Sequence, residues 1–275
     1  MKHILIIGIG AGDPDHLTIQ AAKAMARADV FFILDKGETT HDLAGFRRDL
    51  IDAHARAPYR VVETDDPERD RTAAAYGAAV EDWRSRRARI CERLVRDELA
   101  DGQTGAFLVW GDPGLYDSTL AVVEEMLERG NIRFTYEVIP GISSVSALAA
   151  GHRVSLTQVG RPVHITTGRR LTADGATADD LVIMLDAHSA FAGLDDFHIY
   201  WGAYLGTPDE ILVDGPVAEV ADRIRQVRDE ARRRKGWIMD TYLLRRLPPS
   251  PSGVDGRADH PEDHSPGPHT RPDAG

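Results

Sequence analysis

The sequence predicts an α/β protein of two domains with a ligand cleft between them. Three observations carry this expectation. Short runs of apolar, β-branched residues alternate with helical patterns over the first 150 residues. After residue 150 the texture changes to a denser succession of short strands. Three glycine-containing loops each follow an apolar run. The chain of 275 residues, 42% of them hydrophobic, can bury one large core or two modest ones, and the change of texture favours two. The expected division is an N-terminal α/β domain over 1–150, a C-terminal α/β domain over 151–247 and a disordered tail over 248–275.

Residues 4–7, Ile-Leu-Ile-Ile, form a continuous apolar run, and 30–34, 106–110 and 134–139 read the same way, as strands covered on both faces. Between them, 17–28 is alanine-rich and carries Thr18 as a candidate cap, 68–99 is long and charged, and 118–129 places Leu120, Val123 and Leu127 at helical spacing. Alternation of this kind predicts a parallel sheet whose ligand loops lie at the carboxyl ends of the strands. In the second half, 163–167, 181–185, 199–204, 211–213 and 237–242 are strand candidates, with helices expected near Ala190 and over 217–234, and hence a more mixed sheet. From Pro248 onward there are seven prolines, four glycines and three histidines among almost no apolar residues, so this tail lacks the surface needed to order itself.

The bulk properties narrow the function classes. A net charge of -11 argues against nucleic acid as a partner, because phosphate binding draws on Lys and Arg to release counterions. The single cysteine, Cys91, excludes an internal disulfide framework and a cysteine-built metal site, and it suits a reducing cytoplasm. His260, His264 and His269 are irregularly spaced in the tail, and no metal site is expected. The apolar run behind Met1 is too short for a signal peptide or a membrane span, so neither export nor membrane association is expected.

The first loop, Gly8-Ile-Gly-Ala-Gly-Asp-Pro-Asp-His-Leu-Thr, invites a dinucleotide fingerprint. The third glycine position is Asp13 in one register and Asp15 in the other, and an acid there repels pyrophosphate. A strand-to-helix turn with Asp13 as cap and Pro14 at the first helical position explains the same residues. Two further loops, Trp-Gly-Asp-Pro-Gly-Leu-Tyr-Asp-Ser around Gly111 and Ile-Pro-Gly-Ile-Ser-Ser around Gly141, would gather with the first at one end of a parallel sheet.

Taken in order, Gly-x-Gly-x-Gly-Asp-Pro-x-x-Leu-Thr, Gly-Asp-Pro-x-x-Tyr and Pro-Gly-x-Ser-Ser resemble the tetrapyrrole methylases, a class of S-adenosylmethionine-dependent methyltransferases, and the similarity spans roughly residues 4–244. Four segments, WGDPGLYDST, VGRPVHITTGRRL, VIMLDAH and YWGAYLGTPDE, resemble a deacetylating subgroup of that family. Most of the family has proline where Ala11 stands, and serine or threonine where Gly114 stands.

The resemblance implies a fold of two α/β domains and C-methylation of a reduced tetrapyrrole in cobalamin biosynthesis, with loss of an acetyl group as acetate. The alternative is a related C-methyltransferase without deacetylation. It also implies a homodimer. It places the methyl donor against Ala11, Gly111, Asp112, Pro113, Leu115, Tyr116, Ser143, Ser144, Met184 and Ala203. An anionic substrate requires concentrated cations in an acidic protein, and Lys36, Arg47, Arg48, Arg161, Arg169 and Arg170 are the candidates. The six arginines from Arg84 to Arg96 alternate with Glu92, Asp97 and Glu98 and read as a solvated helical face. Attack by an electron-rich ring carbon on a sulfonium methyl needs no strong base. Hydrolytic loss of an acetyl group does, and Asp13, Asp117, Tyr116 and His41 are the candidates near the expected cleft.

Overall fold

A computed structural model describes residues 1–35, 41–68 and 76–248. The expected tail and Lys36 lie outside the described residues, apart from Pro248 itself. The first sheet is wholly parallel, in the order β3-β2-β4-β1-β5, built from β1 (Lys2–Gly8), β2 (Val30–Asp35), β3 (Arg60–Asp65), β4 (Thr104–Val109) and β5 (Phe134–Ile139). Its helices are α1 (Ile19–Met25), α2 (His41–His54), α3 (Tyr76–Glu98) and α4 (Thr119–Arg129).

The apolar runs alternate sides as expected of strands buried on both faces. Ile4, Ile6, Phe32, Phe107 and Val109 pack with α3 and α4, whereas Leu5, Ile7, Phe31, Ile33 and Leu108 pack with α1 and α2. Thr18 caps α1 by accepting from the Ala21 N–H at 3.0 Å, as its position predicts. The elements β3 and α2 were not legible beforehand. The strand β3 lies at the sheet edge, half exposed, so it carries no apolar run.

From β1 the chain passes to β2 across β4, and from β4 it passes to β5 across β1. The connections run to opposite sides between β1 and β4, which makes the carboxyl ends of these two strands the switch point of the sheet, the place at which such sheets bind ligands.

The second sheet is mixed, in the order β6-β7-β10-β8-β9, from β6 (His164–Thr167), β7 (Asp180–Met184), β8 (Phe197–Ala203), β9 (Ile211–Pro216) and β10 (Asp240–Arg246). Only β6 and β7 run parallel. One face packs against α7 (Val217–Lys235), with Trp201, Phe197 and Tyr242 fully buried. The other face meets α5 (Ser144–His152) and the loops of the first sheet, through Val182, Leu243, Val145, Leu148 and Ala11. A short helix, α6 (Gly168–Asp174), follows β6. The helix expected near Ala190 is absent. Asp186 accepts from the His188 and Ala190 N–H groups, and Ser189 adopts φ 55°, so the chain turns instead of coiling.

The loops after β1, β4 and β5 meet in a tight backbone junction. A Cβ placed on Gly141 would lie 2.9 Å from Gly8 Cα, 2.8 Å from Gly8 C and closer still to the Gly111 carbonyl oxygen. Nothing there is the movable end of a side chain. Gly141→Ala is therefore expected to lower stability by about 1–3 kcal/mol, the usual cost of overpacking. The midpoint of urea unfolding at unchanged slope measures it, and a wild-type midpoint would refute the steric account.

Candidate functional site

Three loops leave the carboxyl ends of β1, β4 and β5 at the switch point. Gly10 and Gly111 bridge the first two, with the Gly111 N–H donating to the Gly10 carbonyl at 2.7 Å and the Gly10 N–H donating back at 3.3 Å. Asp112 joins the second to the third: its Oδ1 accepts from the Gly114 N–H at 2.8 Å and its Oδ2 from the Gly141 N–H at 2.9 Å. The sequence suggests that these glycines let a ligand approach the backbone. At Gly8 and Gly141 it is another loop's backbone that approaches. At Gly111 a Cβ would meet only Ser143 Cα, at 3.9 Å, and the requirement for glycine there is its φ of 72°.

Around this bridge Ala11 and Pro113 are buried and Leu115 is half-buried. Ser143 caps α5, accepting from the Ser146 N–H at 3.3 Å. Ser144 Oγ accepts from the Thr241 hydroxyl at 3.1 Å, which ties α5 to β10. Met184 ends β7 opposite Thr241, and Ala203 ends β8 opposite Asp240. Ala11, Leu115 and Met184 belong to one apolar cluster spanning both sheets. A Cβ on Gly12 would strike Thr207 Cγ2 at 2.5 Å, and one on Gly206 would lie 3.0 Å from both Asp13 N and His16 Nδ1, so the loop after β8 presses on the loop after β1.

Two of the candidate acids also shape their loops. Asp13 caps a 3-10 turn at Pro14–His16, its Oδ1 accepting from the Asp15 N–H at 2.8 Å, with Pro14 in the first turn as the capping reading predicts. Asp117 Oδ1 accepts from the Thr119 N–H at 2.6 Å at the start of α4, a role that Ser118 does not take. Tyr116 is 46% exposed with φ 52°, and its hydroxyl donates to the Ile165 carbonyl at 3.4 Å across the junction. His41 opens α2.

Among the described residues the candidate cations do not form one patch. Arg47 donates from Nε to the Leu108 carbonyl at 3.2 Å and from Nη1 to the Leu43 carbonyl at 3.0 Å. Burial and the nearby Arg87 guanidinium lower its pKa, against the opposing pull of Asp117, Asp35 and Asp66. Arg48 is bidentate to Glu63, at 2.7 and 2.6 Å, on the edge strand β3. Arg161 stands 3.9 Å from Asp179 and lines a cavity of about 520 Å³ with Gln158, His198, Tyr200, Arg245 and Arg246. That cavity is at the opposite end of β7 and β10 from Met184, so Arg161 is removed from the loop junction. Arg169 and Arg170 lie exposed on α6, just past the carboxyl end of β6, with Arg170 3.3 Å from Asp174.

The arginine-rich helix face is not wholly solvated. Arg87 lies over the Trp83 ring, 5.3 Å from its centroid, reaches Asp66 at 3.1 Å and donates to Ser118 Oγ at 2.7 Å, beside the second loop. The left-handed backbone of Leu185, at φ 54°, and of Tyr204, at φ 50°, escaped the sequence reading. Each leaves the carboxyl end of a second-sheet strand in a left-handed conformation that bulky residues rarely adopt. No sequence signal announces such a residue.

A model of the tetrapyrrole (corrin/porphyrin) methylases matches residues 3–221. The deacetylating precorrin-6A synthase of Sinorhizobium sp. is 50% identical over 250 residues, covering 90% of this chain and 96% of its own. Among solved structures, the cobalamin-synthesis-related protein CobF of Corynebacterium diphtheriae superposes with a TM-score of 0.78 at 35% identity, covering 90% of this chain and all of its own. The uroporphyrin-III C-methyltransferase of Thermus thermophilus, solved with S-adenosylhomocysteine, shares the fold with a TM-score of 0.57 at 20% identity, covering 88% of this chain and 92% of its own.

Because one carboxylate ties the second loop to itself and to the third, Asp112→Ala is expected to release both. Hydrogen exchange at the Gly114 and Gly141 amides should accelerate about tenfold or more, the equivalent of about 1.4 kcal/mol in local opening, while amides within β1 keep their protection. Unchanged exchange at Gly141 would show that the loops hold without Asp112.

Proposed function

This chain belongs to the tetrapyrrole (corrin/porphyrin) methylase family, and from that premise we propose that it is an S-adenosylmethionine-dependent methyltransferase that methylates precorrin-5 at C-1 and removes its acetyl group as acetate, giving precorrin-6A in aerobic cobalamin biosynthesis. The observation that carries the reading is the convergence of three glycine-bearing loops at the switch point of a parallel sheet, closed over by the second sheet's Met184 and Ala203 ends. Identity of 50% along nearly the whole length of a deacetylating relative selects the acceptor within the family.

The junction suits the donor chemically. Adenine edges and amino-acid termini can be met by backbone N–H and C=O groups of the loops around Gly111 and Ser143, and the thioether of Met184 with Leu115 and Leu185 offers apolar contact. The donor supplies an electrophilic methyl on a sulfonium. The chain's part in that step is alignment: Asp112 fixes the second loop against the third, and Pro113 and Leu115 keep water from the junction. The enamine electron pair of the ring carbon forms the new C–C bond as the methyl C–S bond breaks, and S-adenosylhomocysteine leaves as a neutral thioether with the C–S bonding pair on sulfur.

Acetate release has different demands. Water adds to the acetyl carbonyl, the C–C bond to the ring breaks, its electron pair passes into the conjugated ring, and the water's proton must be taken up. Asp13 stands where the first loop meets the loop after β8, and Tyr116 reaches the Ile165 carbonyl of β6, whereas Asp117 faces the start of α4; we assign proton uptake to Asp13. The substrate's carboxylates are met by Arg169 and Arg170 on α6, with Arg47 behind the second loop. We also read the protein as a cytoplasmic homodimer, as family resemblance implies. Among the described residues no helix is long and apolar enough to cross a membrane.

Incubation with S-adenosylmethionine and precorrin-5 should give one methyl transferred and one acetate released per turnover, by mass spectrometry and an enzymatic acetate assay. Methylation without acetate would reassign the chain to a non-deacetylating C-methyltransferase. Asp13→Asn keeps size and capping while losing basicity, so acetate release is expected to fall about 100-fold with methyl transfer within about threefold of wild type, and a methylated, still acetylated product should accumulate. Equal wild-type rates would leave Asp13 as a cap alone.

A further inference from the structure

Beyond the loops already described, the second domain holds a buried ionic network that the proposed chemistry does not use directly. After Met184 the chain runs Leu185-Asp186-Ala187-His188-Ser189-Ala190, with Leu185 at φ 54° and Ser189 at φ 55°. Two non-glycine residues in the left-handed region within five positions do not hold themselves there. Asp186, only 5% exposed, holds them: its Oδ1 accepts from the His188 N–H at 2.9 Å, and its Oδ2 accepts from the Ala190 N–H at 2.6 Å and from the Tyr242 hydroxyl at 2.7 Å. The Asp186 carbonyl accepts from Arg228 Nη2 at 2.7 Å, and Arg228 Nε donates at 2.9 Å to Asp240, which also accepts from the Trp201 indole at 3.2 Å.

The same carboxylate abuts α6. A Cβ on Gly168, the first residue of that helix, would fall 2.5 Å from Asp186 Oδ1, so the helix bearing Arg169 and Arg170 starts flush against the carboxylate. Its other neighbour, Leu185, is 62% exposed despite being large and apolar, at the end of β7. One buried carboxylate thus abuts two neighbouring features of the second sheet, the Met184-Leu185 turn and the start of α6. Tyr242 keeps its proton to donate, since burial raises its pKa well above the ordinary value, with the Asp186 charge next.

We propose that Asp186 is a positioning residue for the methyl donor: by holding Leu185 in its left-handed turn and fixing where α6 begins, it sets the apolar wall against which the donor lies. This rests on the reading that the donor binds at the Met184 end of the second sheet. Its carboxylate is buried behind the turn and acts through Leu185 and Met184, without touching the reacting atoms.

The test compares wild type with Asp186→Asn, Tyr242→Phe and Gly168→Ala, using S-adenosylhomocysteine titrated calorimetrically and the steady-state constants for S-adenosylmethionine. Asp186→Asn loses acceptor capacity, Tyr242→Phe removes one donor to a charged acceptor, and Gly168→Ala pushes a methyl into the carboxylate. The expected result is a Kd and a KM for the donor raised about tenfold in Asp186→Asn and Gly168→Ala, and about threefold in Tyr242→Phe, with kcat changed less than KM. A purely structural role would lower Tm in these variants and leave donor Kd and KM at wild-type values, which overturns the proposal. If Asp186→Asn does not fold, the other two variants decide by the same criterion. Wild-type protein that binds no S-adenosylhomocysteine would overturn the donor-site reading and this assignment together, whereas wild-type binding with unaltered affinity in every folded variant would overturn the assignment alone.

Discussion

The constraint on which the rest of the structure depends is the contact of three backbones at Gly8, Gly111 and Gly141. Each belongs to the carboxyl end of a different strand, and none leaves room for a Cβ or tolerates one without strain. Because the strands of a parallel sheet are held in register by their own ladders, pulling three of their exits into van der Waals contact fixes where every following helix begins. The helix α4 starts at Thr119 under the cap of Asp117, α5 starts at Ser144 under the cap of Ser143, and the 3-10 turn before α1 starts under Asp13. A glycine cluster of this kind converts a sheet, which specifies only strand spacing, into a rigid rim.

Carboxylates do the second half of that work. Asp13, Asp112, Asp117 and Asp186 all lie within the rim or its counterpart in the second domain, and all four accept backbone N–H groups. An N–H donated to a charged acceptor is roughly twice as strong as a neutral pair, so acids are efficient at holding loops that have no ladder. The consequence is electrostatic. A rim ordered by aspartates is negative where a cationic donor is proposed to lie, and the proposed contacts to the anionic acceptor come from outside it, from arginines on α6 and behind the second loop. The overall charge of -11 does not oppose that arrangement, since potentials in a cleft follow the nearest groups.

Much of the fold was legible because its strands are buried on both faces, which writes them as unbroken apolar runs: the strand read at 134–139 is the strand found, and 30–34 falls one residue short. What escaped was exposed or non-periodic. β3 has no apolar run because it is an edge, and β10 was placed three residues early because Trp237 and Ile238 pack outside the strand against the second core. The site was legible as motifs and illegible as geometry. Arg48 and Arg161 read as free cations because sequence separates them from Glu63 and Asp179 by 15 and 18 positions, beyond any helical pairing rule. Arg87 read as a surface residue because its alternation with acids along α3 is what a solvated face shows, and only the proximity of Asp66 and Ser118 draws it inward.

Much of the backbone strain gathers at one place. Of the five residues other than glycine with positive φ among the described residues, Tyr116 lies in the loop after β4, Leu185 follows β7 and Tyr204 follows β8, at the junction of the two sheets, while Ser189 belongs to the Asp186 turn and Arg153 ends α5. Each such conformation costs about 1–3 kcal/mol, a total that local sequence preference cannot supply. It must be held by neighbours, and the holders differ: the loop bonds of Asp112 for Tyr116, the Asp186 network for Leu185, and for Tyr204 a hydroxyl bond to the Trp237 carbonyl at 2.6 Å beneath a ring stacked edge-on at 4.9 Å. Three independent devices that impose one kind of strain at one place imply that the geometry they enforce is required there, because a fold indifferent to those side-chain directions would have relaxed each turn with a glycine.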